Sequence, residues 1–139
     1  MTSNGFIGNW FKDNWDYTYV IARAIVAIVF FIHGTYKLFG WFGAKSVAPL
    51  FSLFGLGGVI ETVVAVLLFF GLFTRLGALL GALEMAYVWF FIHIAKGVWN
   101  PLANGGEPAV LFFCLFIIFL ALGARKCSLD KVFFKKEVF

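Results

Sequence analysis

Charged residues, cysteine and proline are all scarce in this sequence, and the shortages narrow what it can be. Only 13% of the 139 residues are charged while 63% are hydrophobic, a balance far from that of a water-soluble domain. The two cysteines, Cys114 and Cys127, form no CxxC pair. Cys114 is expected in mid-span as a small buried residue and Cys127 beyond the span's end, about 20 Å away along a helix, too far for a bridge within one chain. That spacing points away from a thiol–disulfide oxidoreductase. HExxH, paired cysteines, an acidic calcium-type run and a nucleotide-binding glycine loop are absent too, so no metal site is expected. Residues 1–16 contain Lys12, Asp13 and Asp16 in place of a continuous apolar core, so no cleavable signal peptide is expected. The net charge of +4 comes mostly from a basic tail, which suits anionic lipid better than nucleic acid.

What is abundant is apolar helix. At about 1.5 Å per residue, roughly 20 residues cross the hydrocarbon of a bilayer, and four runs come near that length: 17–39, 55–72, 74–96 and 107–123. The second and fourth are short and should stand nearly upright. The expected fold is an all-α membrane protein, a single four-transmembrane-helix bundle over residues 1–139 with no room for a soluble module. Phe6, Ile7, Trp10, Phe11 and Trp15 recur at helical spacing before the first span, and KVFFKKEVF mixes lysine with phenylalanine after the last. Both flanks read as short interfacial helices. Lys12, Arg23, Arg75, Arg125, Lys126, Lys131, Lys135 and Lys136 fall on the side shared by the termini, against Lys37, Lys45 and Lys96 on the other. That asymmetry predicts cytoplasmic termini.

Polar residues inside the spans are costly and mark the bundle interior. Counted by depth, His33, Glu61 and His93 share one level toward the outer side, with Lys37, Lys96 and Glu107 just above. His33 and Lys37 are four apart and project from one helix face. In GLGGVIETVVA, Gly57, Gly58 and Ala65 give Glu61 a smooth face for a neighbouring helix, so a contact from His33 or Lys37 to Glu61 is within reach. Deeper lie Arg23 and Glu84. As isolated charges they would be expensive, and each is expected to be the other's partner in a structural ion pair. GALLGALE supplies a close-packing stripe that ends in Glu84. In WNPLANGGEP, Asn104, Gly105 and Gly106 form a turn, and Glu107 and Pro108 begin the last helix with its free N–H groups toward the outer mouth.

Taken in order, an early arginine, HGTYKLFG, GLGGVIE, LLFFGLFTRLGALLGALEMA, HIAKGVWNPLANGGEPAVLFFC and a closing SLD resemble the DoxX family of small four-span membrane proteins over about residues 20–130. The family's recurrent positions correspond to Arg23, His33, Gly34, Lys37, Glu61, Gly71, Arg75, Glu84, His93, Gly105, Gly106 and Glu107. The chain departs from the pattern at GARKCSLD, where basic residues replace the usual glycine and proline. The resemblance implies a bacterial or archaeal cytoplasmic membrane. It also implies kinship with the membrane subunit of an archaeal thiosulfate:quinone oxidoreductase, and so a redox-associated role.

A quinone head group needs donors for two carbonyls, a proton-passing imidazole or carboxylate, and an aromatic pocket reachable from lipid. His33, Lys37, Glu61, His93 and Glu107 are the candidate ligands, with Phe30, Phe31, Tyr36, Phe39, Trp41, Trp89 and Phe90 at a similar depth. The chain has no electron carrier of its own, so this reading requires a membrane or peripheral redox partner. A second reading is a non-catalytic structural or assembly subunit whose polar cluster only holds helices together. A bis-histidine haem protein ranks third, because His33 and His93 would have to face each other across a gap. An alternating-access transporter ranks below these, since four spans show no inverted repeat.

Overall fold

The computed structural model describes residues 5–43 and 47–138, and Lys45, expected on the outer side, lies outside them. Helix α1 (Phe6–Asp13) buries none of its residues and turns at Asn14, whose side-chain amide donates to the Trp10 carbonyl at 2.9 Å. Helix α2 (Trp15–Phe39) then runs for 25 residues until Gly40 takes a left-handed conformation, φ 69°. Ser52 starts α3 (Leu53–Phe70) by accepting the Gly55 N–H, and left-handed Gly71 ends it. Helix α4 (Thr74–Lys96) is regular to Tyr87, continues as one π-helical stretch over Val88–His93 and tightens over Ile94–Lys96. A single turn, α5 (Pro101–Asn104), leads into α6 (Glu107–Leu122), and α7 (Leu129–Phe134) follows.

Among the described residues, α2, α3 and α4 are long and apolar enough to cross a membrane, whereas α6 has 16 residues and is shorter. Helix α2 packs chiefly on α3 and α4 on α6, with α3 against α4 closing the bundle. Two glycine contacts set those pairs. A Cβ on Gly34 would run into Thr62 and sit 2.8 Å from the Gly58 carbonyl oxygen, so α2 and α3 touch almost backbone to backbone. Gly81 lets α4 and α6 approach by leaving room for the Phe116 ring, which a Cβ there would meet at 2.7 Å. Phe30, Val64, Leu68, Ala78, Met85 and Phe116 fill the space between. The outer faces carry exposed Ile, Leu, Val and Phe throughout, the expected exterior for a lipid solvent. Cys114 belongs to that exterior. It is exposed on α6 because Phe112, Phe116 and Phe119 take the inward positions.

The start of α2 and the segment after α6 lie at one end of the bundle, where that segment forms a strap. The Tyr19 hydroxyl donates to the Gly123 carbonyl at 2.5 Å. Arg23, fully buried, donates to the carbonyls of Ala124 and Cys127. Ser128 Oγ donates to the Gly71 carbonyl at 3.0 Å, and both Asp130 oxygens accept the Phe73 N–H, at 3.0 and 3.1 Å. The expected Arg23–Glu84 pair does not form. Arg23 is occupied by strap carbonyls, which irregular backbone exposes at Arg125 (φ 56°) and Cys127 (φ 53°). Hydropathy carries no sign of such acceptors.

Candidate functional site

The opposite end of the bundle, where α2 meets the loops, gathers a second set of polar side chains. The close approach at Gly34 and Gly58 brings α2 and α3 within reach of each other's side chains. Lys37 Nζ then lies 2.7 Å from Glu61 Oε1, with side chains only 14% and 3% exposed. Such a short, shielded contact is a charge-assisted hydrogen bond. Glu61 Oε2 is buried with no hydrogen-bond partner. Glu84 belongs here too, although sequence depth assigned it to the deeper pair. Its Oε1 and Lys37 Nζ lie 3.0 and 3.6 Å from the point where Gly57 would carry a Cβ. Both Glu84 oxygens are buried without a hydrogen-bond partner. One ammonium thus stands among two carboxylates, and a Cβ at position 57 would crowd Glu84 Oε1.

The wall from α4 is built differently. His93 Nδ1 is 3.0 Å from the Asn104 carbonyl oxygen, to which Lys96 Nζ also donates at 3.4 Å. Asn104 itself is buried and tied down from both sides. Its Nδ2 donates to Val98 O at 2.8 Å, and its Oδ1 accepts the Gly106 N–H at 2.8 Å. The turn therefore fixes the His93 ring through Nδ1. Sequence reasoning treated Asn104 only as a turn former. Its position before two glycines signalled a turn but not a histidine support.

A half-open central cavity of about 380 Å³ lies between α2, α3, α4 and α6 and is lined by His33, Lys37, Glu61 and His93. Its apolar walls include Phe30, Phe54, Met85, Val88, Ile92 and Phe112. Four of the five candidate ligands are thus brought together. Glu107 is not. It lines a separate groove of about 360 Å³ between α2 and α6, on the far side of His33. His33 is exposed at the rim shared by the two spaces, its ring set edge-on to Phe112 at 5.7 Å. Of the aromatics expected around the site, Phe30 alone lines the cavity. Trp89 packs on Gly106 and Trp99, and Phe39 packs on Trp41. Phe54 and Phe112 supply the missing rings from α3 and α6. Neither is distinguished in sequence from the many lipid-facing phenylalanines.

The family model for DoxX matches residues 18–94. This chain belongs to the DoxX family. It is 43% identical over 129 residues to an uncharacterized protein of Haemophilus influenzae Rd, covering 86% of this chain and 93% of that one. No solved structure matches the chain. The DoxX match contains Arg23, His33, Lys37, Glu61, Glu84 and His93. Asn104, Phe112 and the strap that receives Arg23 lie beyond it, so this DoxX chain completes its cavity and its opposite end with residues outside the matched segment.

Proposed function

We propose that this DoxX protein binds a quinone in the central cavity and serves as the membrane subunit of a redox system whose electron carrier sits on a partner. The observation that carries the reading is the cavity itself. An imidazole at the rim, a second imidazole held by Asn104 and a buried carboxylate oxygen without a partner converge on one apolar space. Its volume falls within the range of small-molecule sites, and its flanking rings suit a flat head group. Bound quinone would supply a redox couple that gains electrons and protons together. His33 and Lys37 would donate to its carbonyl oxygens, and Glu61 would hold Lys37 in place or accept a proton. Isothermal titration of a tailless benzoquinone against wild type, His33→Ala and Glu61→Gln tests this. Each substitution is expected to weaken binding about tenfold or more, the worth of one charge-assisted hydrogen bond. Equal affinity in all three proteins would favour the scaffold reading, which the Lys37–Glu61 ion pair between α2 and α3 supports.

We also infer that α6 is a fourth crossing and that the termini are cytoplasmic, in the inner membrane. Helix α6 connects the same two ends as α4, with Gly106 against the Trp89 ring and Gly123 near the Arg75 guanidinium. Arg75, Arg125, Lys126, Lys131, Lys135 and Lys136 crowd the terminal end, in line with the positive-inside rule. Helices α1 and α7, with exposed Phe6, Ile7, Trp10, Val132 and Phe133, would then lie in the inner interface against anionic lipid.

A further inference from the structure

The central cavity has a lipid-side neighbour. A groove of about 490 Å³ runs between α3 and α4, walled by Leu56, Ile60, Leu80 and Leu83. Lys37, Phe54, Val88 and Ile92 line both spaces, so these four side chains are the partition between them. The partition is built lightly. Phe54 stands on the first turn of α3, is 54% exposed and has Lys37 Nζ 5.0 Å from its ring centre. Val88 and Ile92 belong to the π-helical stretch of α4, where the regular ladder is interrupted, a feature that recurs at functional sites. On the other flank, the groove between α2 and α6 is smaller, about 360 Å³, and each groove has one carboxylate in its lining, Glu107 there and Glu84 in the α3–α4 groove.

We propose that the α3–α4 groove holds the apolar tail of the molecule whose ring occupies the central cavity, so that the site is built for a long-tailed quinone drawn directly from the bilayer. This rests on the quinone reading above and specifies it. The ring lies among His33, Glu61 and His93, the tail passes the partition at Phe54, Val88 and Ile92, and the groove directs it along α4 into lipid. Lys37 marks the junction, because it faces both spaces while paired to Glu61. Lipid is as apolar as the groove, so placement of the tail is read through steric interference rather than through a gain in affinity.

The test uses the full chain in detergent and two probes, a tailless dimethoxy-methyl-benzoquinone and the same ring carrying a decyl chain. Leu80→Trp fills the groove without touching the central cavity, and Leu83→Trp provides a second filling should the first fail to fold. Leu115→Trp fills the α2–α6 groove as the control. The expected result is that Leu80→Trp or Leu83→Trp weakens the decyl probe about tenfold, the scale of an overpacked site. The same variants leave the tailless ring unchanged, and Leu115→Trp affects neither probe. Selective weakening of the decyl probe by Leu115→Trp would place the tail between α2 and α6 and overturn the assignment. So would equal effects on both probes, or no effect of any filling. Tailless binding with no tail discrimination defeats only the groove. Failure of wild type to bind either probe defeats the quinone reading and this inference with it.

Discussion

At the scale of single residues, the two charges that depth alone would pair are the ones the fold separates. Arg23 donates to two strap carbonyls and is fully buried, whereas Glu84 sits beside Lys37 with neither oxygen hydrogen-bonded. Their substitutions should therefore behave oppositely. Arg23→Gln removes charge-assisted donors from two strap carbonyls, one of them buried, and is expected to cost about 3 kcal/mol, seen as a lower thermal midpoint in detergent. Glu84→Gln keeps the shape and removes a carboxylate that has no hydrogen-bond partner, so stability should change by less than about 1 kcal/mol or rise. A Glu84→Gln loss as large as that of Arg23→Gln would mean that the two charges do depend on each other.

At the scale of elements, the site depends on how closely α2 and α3 approach. A Cβ on Gly34 meets backbone of α3, at the Gly58 carbonyl and the Thr62 nitrogen, both at 2.8 Å, and backbone cannot rotate away as a side chain would. Gly34→Ala is expected to cost about 2 kcal/mol through overpacking and to loosen the Lys37–Glu61 pair, weakening ring binding as well. Gly77→Ala makes the comparison fair. Its new Cβ would meet the Leu67 side chain at 3.2 Å, a milder crowding, and should leave binding unchanged. The strap is a second element-level device. Asp130→Ala removes the acceptor for Phe73 N–H, which lies at a left-handed residue, φ 45°. It should lower stability by about 1–2 kcal/mol, as loss of a helix cap does, while ring affinity stays at the wild-type value.

At the scale of the whole molecule, the start of α2 and the strap share one end, and the exposed Leu102 on α5 marks the other. Exposed Cys127 marks the strap end naturally. With cytoplasmic termini, a membrane-impermeant thiol reagent should label Leu102→Cys only from outside and Cys127 only after the membrane is opened. The reverse pattern would put the ring site in the inner half of the bilayer, and labelling of both positions from one side would remove α6 as a crossing.

Hydropathy and helical rise located the apolar helices and the common level of His33, Glu61 and His93, but not the level of Glu84. The bilayer imposes a single axis, and position along it can be counted at about 1.5 Å per residue. Hence α4 begins and ends where expected, at Thr74–Lys96, and His33, Glu61 and His93 line one cavity. Rotation about that axis was not legible, because it is decided by which neighbour a face meets. Gly34 against Gly58 and Gly81 against Phe116 turned Lys37 and Glu84 toward the same point, while Phe54 and Phe112 rather than Trp89 became the rings of the site. Irregular backbone was equally hidden, since the carbonyls that satisfy Arg23 are chemically the same in every residue and become acceptors only when the strap folds back across the bundle.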